Sequence, residues 1–278
     1  AKLGDNTRVL NISSSIKTKI ITNGLKFALA TGTWGTGNLG QNTRTGVSQV
    51  LNRHSYMSML SHLRRINSPI GKEGKLTTPR HLHGSHAFRL CPSETPEGQS
   101  CGLVKNMSLT NLVTIGTSSK VIHTILARLK LKEKASTGDA LVFINGSVIG
   151  FENNPLELST KLKEIRRTAV ISHDTGIAYD SVRNEIRIHT DPGRCSRPLL
   201  VIKEGKLLLT DIILNGIKHN KLQWYDLVQK GIIEYIDADE EETCLIAFGT
   251  NDLQERSHLQ FTHCEVHPAM MLGITASN

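Results

Sequence analysis

The stretch Leu90-Cys91-Pro92-Ser93-Glu94-Thr95-Pro96-Glu97-Gly98-Gln99-Ser100-Cys101-Gly102-Leu103-Val104-Lys105-Asn106 constrains this chain more than any other. Two prolines fix φ and two glycines admit conformations closed to other residues. The segment therefore reads as one rigid, shaped loop running into an apolar stretch. Glu97 and Gln99 sit within it as polar groups on a stiff backbone. That arrangement suits positioning better than proton transfer.

Composition narrows the class. At 278 residues the chain holds one large domain or two to three small ones. A hydrophobic content of 38% with 21% charged residues describes a soluble globular protein. Aromatics make up only 4%, so the core must lean on Leu, Ile and Val. No apolar run approaches the ~18 residues that a membrane span needs. Residues 1–10 lack the apolar core of a secretion signal, so an intracellular setting is expected. The five cysteines are odd in number and scattered, which argues against a disulfide framework. No Cys-x-x-Cys occurs, so a structural zinc site is not expected.

Charge is unevenly placed. Residues 1–110 carry 14 Lys and Arg against 4 Asp and Glu, whereas residues 111–278 carry 19 against 21. The first part is the one suited to face a polyanion, although a solvated basic surface would have the same composition.

Periodicity predicts a helix over 12–30, weakened by Gly24, then a glycine-rich loop over 31–40 and a second helix over 47–64. Pro69, Gly71, Gly74 and Pro79 enclose a loop at 67–79, and 104–115 reads as a strand or short helix. Asn145-Gly146 between 140–144 and 147–151 is the strongest hairpin signal in the chain. Asn154-Pro155 opens a helix with Leu158, Leu162 and Ile165 on one face. Residues 169–173 and 177–179 read as a strand pair, and 184–189 as a half-exposed strand. Beyond 195, strands are expected at 198–202, 207–209, 232–236 and 244–248, with a short helix at 224–230. Asp239-Glu240-Glu241-Glu242 is an acidic run, and extended apolar strand edges over 195–248 would need covering by partner subunits.

Candidate chemistry is sparse. Glu94 and Glu97 could suggest acid–base work, but in a proline-rich turn carboxylates more commonly satisfy backbone N–H groups. His81, His83, His86, Cys91 and Cys101 do not form a four-ligand metal pattern, nor do His263, Cys264 and His267. No Gly-x-x-x-x-Gly-Lys-Ser/Thr loop is present.

Further blocks accompany the 90–106 loop. They are Arg44-Thr45-Gly46-Val47-Ser48-Gln49-Val50-Leu51-Asn52-Arg53, Leu60-Ser61-His62-Leu63-Arg64-Arg65-Ile66-Asn67-Ser68-Pro69-Ile70-Gly71, Gly231-Ile232-Ile233-Glu234-Tyr235-Ile236-Asp237-Ala238 and Phe261-Thr262-His263-Cys264-Glu265-Val266-His267-Pro268. In this order they resemble the second-largest (β-like) subunit of multisubunit DNA-directed RNA polymerases, of the nuclear messenger-RNA or large-DNA-virus type. The resemblance spans about residues 20 to 276.

The resemblance implies an α+β fold. A mixed helical fork region lining the cleft would cover 1–115, followed by two small α/β external domains, one at 116–194 and the second within 195–278, which also holds the start of the hybrid-binding region, all part of a larger multidomain subunit. It implies that Gln49, Asn52, His62, Arg64 and Arg65 line the wall facing the RNA–DNA hybrid. Lys72, Lys75 and Arg80 would meet phosphates of downstream DNA, contacts that position without reading sequence. Glu97 and Gln99 would support the incoming nucleotide and the mobile loop of the largest subunit. No catalytic or metal-ligating residue is implied here, because the magnesium ions are held mainly by the largest subunit, which lacks a counterpart in this chain. The partners implied are that subunit, the other polymerase subunits, template DNA and nascent RNA, with no membrane. The location would be the nucleus, or cytoplasm, viral factory or virion in a viral lineage.

Two departures accompany the resemblance. Ala87-Phe88-Arg89 stands where the family has Trp-Gly after its Ser/Thr-His pair, which changes the side chains available for packing there. The match also stops inside a motif at 271–277, implying one piece of that subunit or one part of a split subunit. The alternative reading is a stand-alone nucleic-acid-binding or scaffold protein derived from it. A Cys264–His263 hydrolase is a more distant alternative.

Overall fold

A computed structural model describes residues 16–35, 44–74, 76–256 and 258–277. The chain divides into two compact units, residues 1–62 and 63–278. No helix among the described residues is long and apolar enough to cross a membrane.

In the first unit, helix α1 (Lys19–Thr31) tolerates Gly24 and stops at Gly32, whose left-handed φ of 69° lets its N–H return to Ala28 O. Every residue of α1 has its side chain exposed or half-exposed, including Ile20, Ile21, Leu25, Phe27 and Leu29. The periodicity at residues 12–15 falls outside the described residues, as does most of the glycine-rich loop. The second helix is shorter than its pattern predicts: α2 covers Tyr56–Leu63 only. Two short polar side chains account for the difference. Asn52 Oδ1 accepts from His54 N at 3.0 Å and Ser55 Oγ from Ser58 N at 3.1 Å, so the backbone turns upstream and the helix starts after Ser55.

The second unit opens with an antiparallel ribbon of β1 (Arg65–Asn67) and β2 (Val104–Asn106), in register Arg65 opposite Asn106. Strand β3 (Leu112–Val113) then leaves this ribbon and joins a different sheet. The expected single element at 104–115 is thus two short strands with different partners.

Next comes a four-stranded sheet ordered β5-β4-β7-β6. Strands β4 (Ala140–Ile144) and β5 (Ser147–Glu152) form the expected hairpin, with Asn145 at φ 48° and Gly146 at φ 80°, as a primed turn requires. Helix α3 (Lys120–Leu129) was not legible in the pattern, yet it buries Ile122 and Leu126 one turn apart. Helix α4 (Pro155–Arg167) buries Leu158 and Leu162. Strand β6 (Gly176–Asp180) pairs with β7 (Glu185–His189) rather than with 169–173. Ala169, left-handed at φ 58°, ends α4, and a turn closed by Thr175 N on Ser172 O occupies the segment instead. The two helices and the sheet enclose one core of Leu, Ile and Val, each buried side chain contributing about 1.5–3 kcal/mol.

The remaining strands surround β8 (Cys195–Lys203), which is buried from Ser196 to Ile202. It pairs with β10 (Ile233–Asp237), β12 (His263–Cys264), β9 (Lys206–Leu207) and β3; β11 (Ile246–Ala247) lies parallel to β12. Helices α5 (Asp211–Lys218), α6 (Trp224–Gln229) and α8 (Thr250–Glu255) lie between these strands along the chain, with α7 (Ala238–Glu241) following β10 directly. A second core gathers Leu227, Val228, Ile232, Ile233 and Cys264. The chain closes with α9 (Ile274–Ser277) after a backbone bond from Leu109 N to Leu272 O. The fold is α+β. The expected boundaries at 115/116 and 194/195 both fall within the second unit.

Candidate nucleic-acid interface

Three of the residues singled out from the sequence meet in the first unit. Asn52 N donates to His62 Nδ1 at 3.1 Å, so the proton of the neutral ring sits on Nε2 and donates to Gln49 Oε1 at 3.0 Å. Gln49 Nε2 in turn donates to Gly46 O. The relay folds the segment before α2 back onto the helix.

In the second unit the cations divide by what they touch. Arg64 Nη2 donates to the carbonyls of Ser108, Leu109 and Asn111 at 2.7, 3.3 and 3.0 Å. It ties the start of β1 to the turn after β2. Arg65, the first residue of β1, has an exposed side chain that makes no hydrogen bond or ion pair with the described residues. Lys72 is likewise exposed, its ammonium making no ion pair or hydrogen bond with the described residues, while its carbonyl accepts from Arg80 Nη2 at 2.9 Å. Arg80 Nη1 reaches across to Gln99 O at 2.6 Å and Cys101 O at 3.0 Å. Its planar fork thus clamps the 67–79 loop to the proline- and glycine-rich loop. Lys75 lies outside the described residues.

The clamp explains a glycine. Gly102 has φ 72° and lies flat against Arg80, so an added Cβ would overlap the Arg80 carbonyl. Gly102 N donates to Thr95 Oγ1 at 2.9 Å, and Thr95 Oγ1 donates to Val104 O at 3.2 Å. Cys91 N donates to Asn106 O at 2.8 Å at the loop's other end. Glu97 precedes a single 3-10 turn at Gly98–Ser100. The side chains of Glu97 and Gln99 are exposed and touch no partner among the described residues. The stiff loop therefore presents two polar groups outward.

No group of three His, Cys, Asp or Glu among the described residues converges to hold a metal ion. Burial, with the Glu265 and Asp252 charges, pushes the Cys264 thiol up and away from the thiolate a nucleophile needs. His263, adjacent on β12, turns to the opposite side and contacts Glu234.

What sequence reading missed is the acidic run. Glu240 is fully buried and makes a bidentate pair with Arg166 of α4 at 2.7 and 2.8 Å, while also accepting from Ile177 N of β6. Glu234 of β10 takes Arg166, Arg167 and His263. Burial alone would raise Glu234, but the Arg166 charge and the His263 and Arg167 hydrogen bonds hold it well below the usual carboxylate range. Burial likewise opposes protonation of His263, and contacts with Cys244 and Glu234 overcome it, raising its pKa. Beside this lies a second cluster, where Arg197 bonds Glu265 at 2.7 Å and Glu241 at 2.8 Å. Arg89 also pairs with Glu241, and the Arg197 guanidinium stacks 4.7 Å from the Phe88 ring centroid. Phe88 is buried at a left-handed φ of 57°, so the departure at 87–89 places its ring in this seam. One signal was available: Asp237 caps α7 through Glu240 N at 2.9 Å, a capping spacing that makes 237–240 a helix start rather than a loose acidic patch.

Fold and site together define an α+β scaffold that carries a stiff proline- and glycine-rich loop clamped by Arg80. Domain models of one subunit match it in order: RNA polymerase Rpb2 domain 3 over 49–113, domain 4 over 142–203 and domain 5 over 224–268, together more than half the chain. It is 44% identical over 98% of its length to the DNA-directed RNA polymerase II subunit RPB2 of Encephalitozoon cuniculi and 42% identical over 99% to the corresponding subunit 2 of Arabidopsis thaliana. Identity to the archaeal subunit Rpo2 of Sulfolobus acidocaldarius is 35% over 97%. In each case the chain spans 25% of the relative's length. The chain belongs to the family of second-largest subunits of DNA-directed RNA polymerases.

Proposed function

We propose that this chain forms cleft wall and fork of a DNA-directed RNA polymerase, positioning template, RNA–DNA hybrid and downstream DNA during nucleotidyl transfer. The observation that carries the reading is the ordered match to three consecutive domains of one polymerase subunit. The loop geometry supports it. Arg65 and Lys72 offer uncommitted charge to phosphate, which holds a duplex in place without reading bases. Arg64 and Arg80 act one step back, holding the ribbon and the loop that carry those cations. Gln49, Asn52 and His62 give the wall a fixed shape, and Lys75 adds charge to the same loop. Glu97 and Gln99 meet the largest subunit or the nucleotide it binds. Magnesium, held by carboxylates of that largest subunit, supplies the charge stabilisation for phosphoryl transfer. This chain by itself is inactive, works with the other polymerase subunits, and resides in the nucleus.

The test is recovery of the chain from its native source at moderate salt. Co-purification of a largest polymerase subunit, with RNA synthesis by the recovered complex, is the expected result. Recovery with nucleic acid alone would overturn the reading.

A further inference from the structure

His263 of β12 is held from both sides of its ring. Glu234 Oε2 of β10 accepts from Nε2 at 2.9 Å, and Nδ1 lies 3.0 Å from Thr262 Oγ1. That hydroxyl gives its only proton to Leu245 O at 3.1 Å, so it meets Nδ1 as an acceptor. Both ring nitrogens therefore carry protons, and His263 is an imidazolium buried to 2% exposure. Leu245 O also accepts from Thr262 N at 2.9 Å and His263 N at 3.4 Å. These bonds hold the segment after α7 alongside β12 and set the Cys244 side chain against the His263 ring.

The charges around this ring leave the sulfur to balance it. Glu234 is shared with Arg166 and Arg167 of α4, so its charge is spent within the seam. Of the acidic run before Cys244, Glu240 is bound to Arg166 and Glu241 to Arg197, while Glu242 is exposed to solvent. The other cysteines lack this combination of access and charge. Cys91 and Cys264 are buried; Cys195 is half-buried like Cys244, and Cys101 is exposed, but neither of those two thiols has a hydrogen bond among the described residues. A reachable sulfur beside a fixed imidazolium is the setting in which a cysteine reacts as thiolate.

The geometry points to Cys244 as a thiol modification site that exchanges with small disulfides, with His263 supporting the sulfur and Glu234 positioning the ring. In the exchange, Cys244 Sγ attacks one sulfur of the disulfide. The new S–S bond forms as the old one breaks, and the departing thiolate takes up the proton that Cys244 released. One disulfide replaces another, so no further oxidant is needed. The site does not depend on the polymerase reading.

The experiment treats the full chain with oxidised glutathione at pH 7 and follows the mixed disulfide at each cysteine by mass spectrometry. Cys244 is expected to react about tenfold faster than the half-buried Cys195, and faster than the more exposed Cys101. In His263→Gln the Cys244 rate should fall to that of Cys195 while the Cys101 rate is unchanged. Buried Cys91 and Cys264 staying unmodified would report that the variant is folded. Reaction of Cys244 no faster than that of Cys195 in the unaltered chain overturns the proposal without any variant. A Cys244 rate unchanged in folded His263→Gln overturns it as well.

Discussion

Glu240→Gln is the sharpest probe of how the second unit holds together. The side chain is fully buried, so the substitution changes charge and hydrogen bonding at nearly constant volume. Glutamine keeps one acceptor oxygen but points an NH₂ at either Arg166 or Ile177 N, where a carboxylate oxygen now accepts. Arg166 is left facing Glu234 through a single longer contact of 3.3 Å. Removing one partner of a buried pair costs about 3–5 kcal/mol, and the retained shape argues for the lower end. At about 1.4 kcal/mol per decade, ~3 kcal/mol lowers the folding equilibrium about a hundredfold. In a unit of this size it lowers the melting temperature by roughly 6–12 °C. Thermal and urea unfolding followed by circular dichroism read both quantities. A cycle with Arg166→Met tests the cause: the double replacement should be less damaging than the two single effects combined, by about 2 kcal/mol. A Glu240→Gln melt within about 0.5 kcal/mol of wild type, or strict additivity in the cycle, would refute the argument that this pair carries the seam.

Other expectations follow from the same geometry. Stability should fall at both ends of the pH range. Glu234, Glu240 and Glu241 have lowered pKa values, so their contribution is present above the unfolded value of 4.5 and is lost as pH drops through the native values. His263 has a raised pKa, so its contribution is complete below 6.5 and disappears as pH rises through the native value. Glu265, raised by burial, opposes the acid trend, because its protonated form is favoured in the folded state. Urea midpoints from about pH 2 to about pH 9 should show both limbs, and His263→Gln should flatten the alkaline one; a profile unaffected by that change would count against the assignment. Gly102→Ala should break the Arg80 clamp and cost ~2 kcal/mol or more, read as faster amide exchange over 97–106. Arg65→Ala should leave the unfolding free energy within about 0.5 kcal/mol of wild type while weakening DNA binding and shallowing its salt dependence by about one unit. Arg80→Ala should instead lower the melting temperature, since its guanidinium serves the loop; equal behaviour of the two variants would remove the distinction drawn between free and committed cations.

Much of this molecule is written locally. Asn145-Gly146 demands positive φ at two successive residues, so the β4–β5 hairpin follows from two side chains. Pro155 with Leu158 and Leu162 specifies α4 by the same kind of short-range rule. The proline and glycine spacing of 90–106 announces a shaped loop before any contact is known. Even the failures were local in origin, as Ser55 and Asn52 ended a helix that apolar spacing alone would have extended.

What the sequence could not disclose is which charges are spent. Arg64 and Arg65 are adjacent and chemically identical, yet one is bound to three carbonyls and the other is free. Arg80 looks like Lys72 in a basic loop until its fork is found on Gln99 and Cys101, about twenty residues away along the chain. Glu240 sits in a run that any local reading leaves in solvent, and its partner Arg166 is 74 residues distant. Backbone conformation at prolines, glycines and caps is set by sterics between neighbouring residues, so the sequence alone determined the β4–β5 hairpin, α4 and the stiff loop. Desolvation and ion pairing depend on groups brought together only by the finished packing, so the tertiary structure alone decided which charges hold the fold and which remain free to meet a ligand.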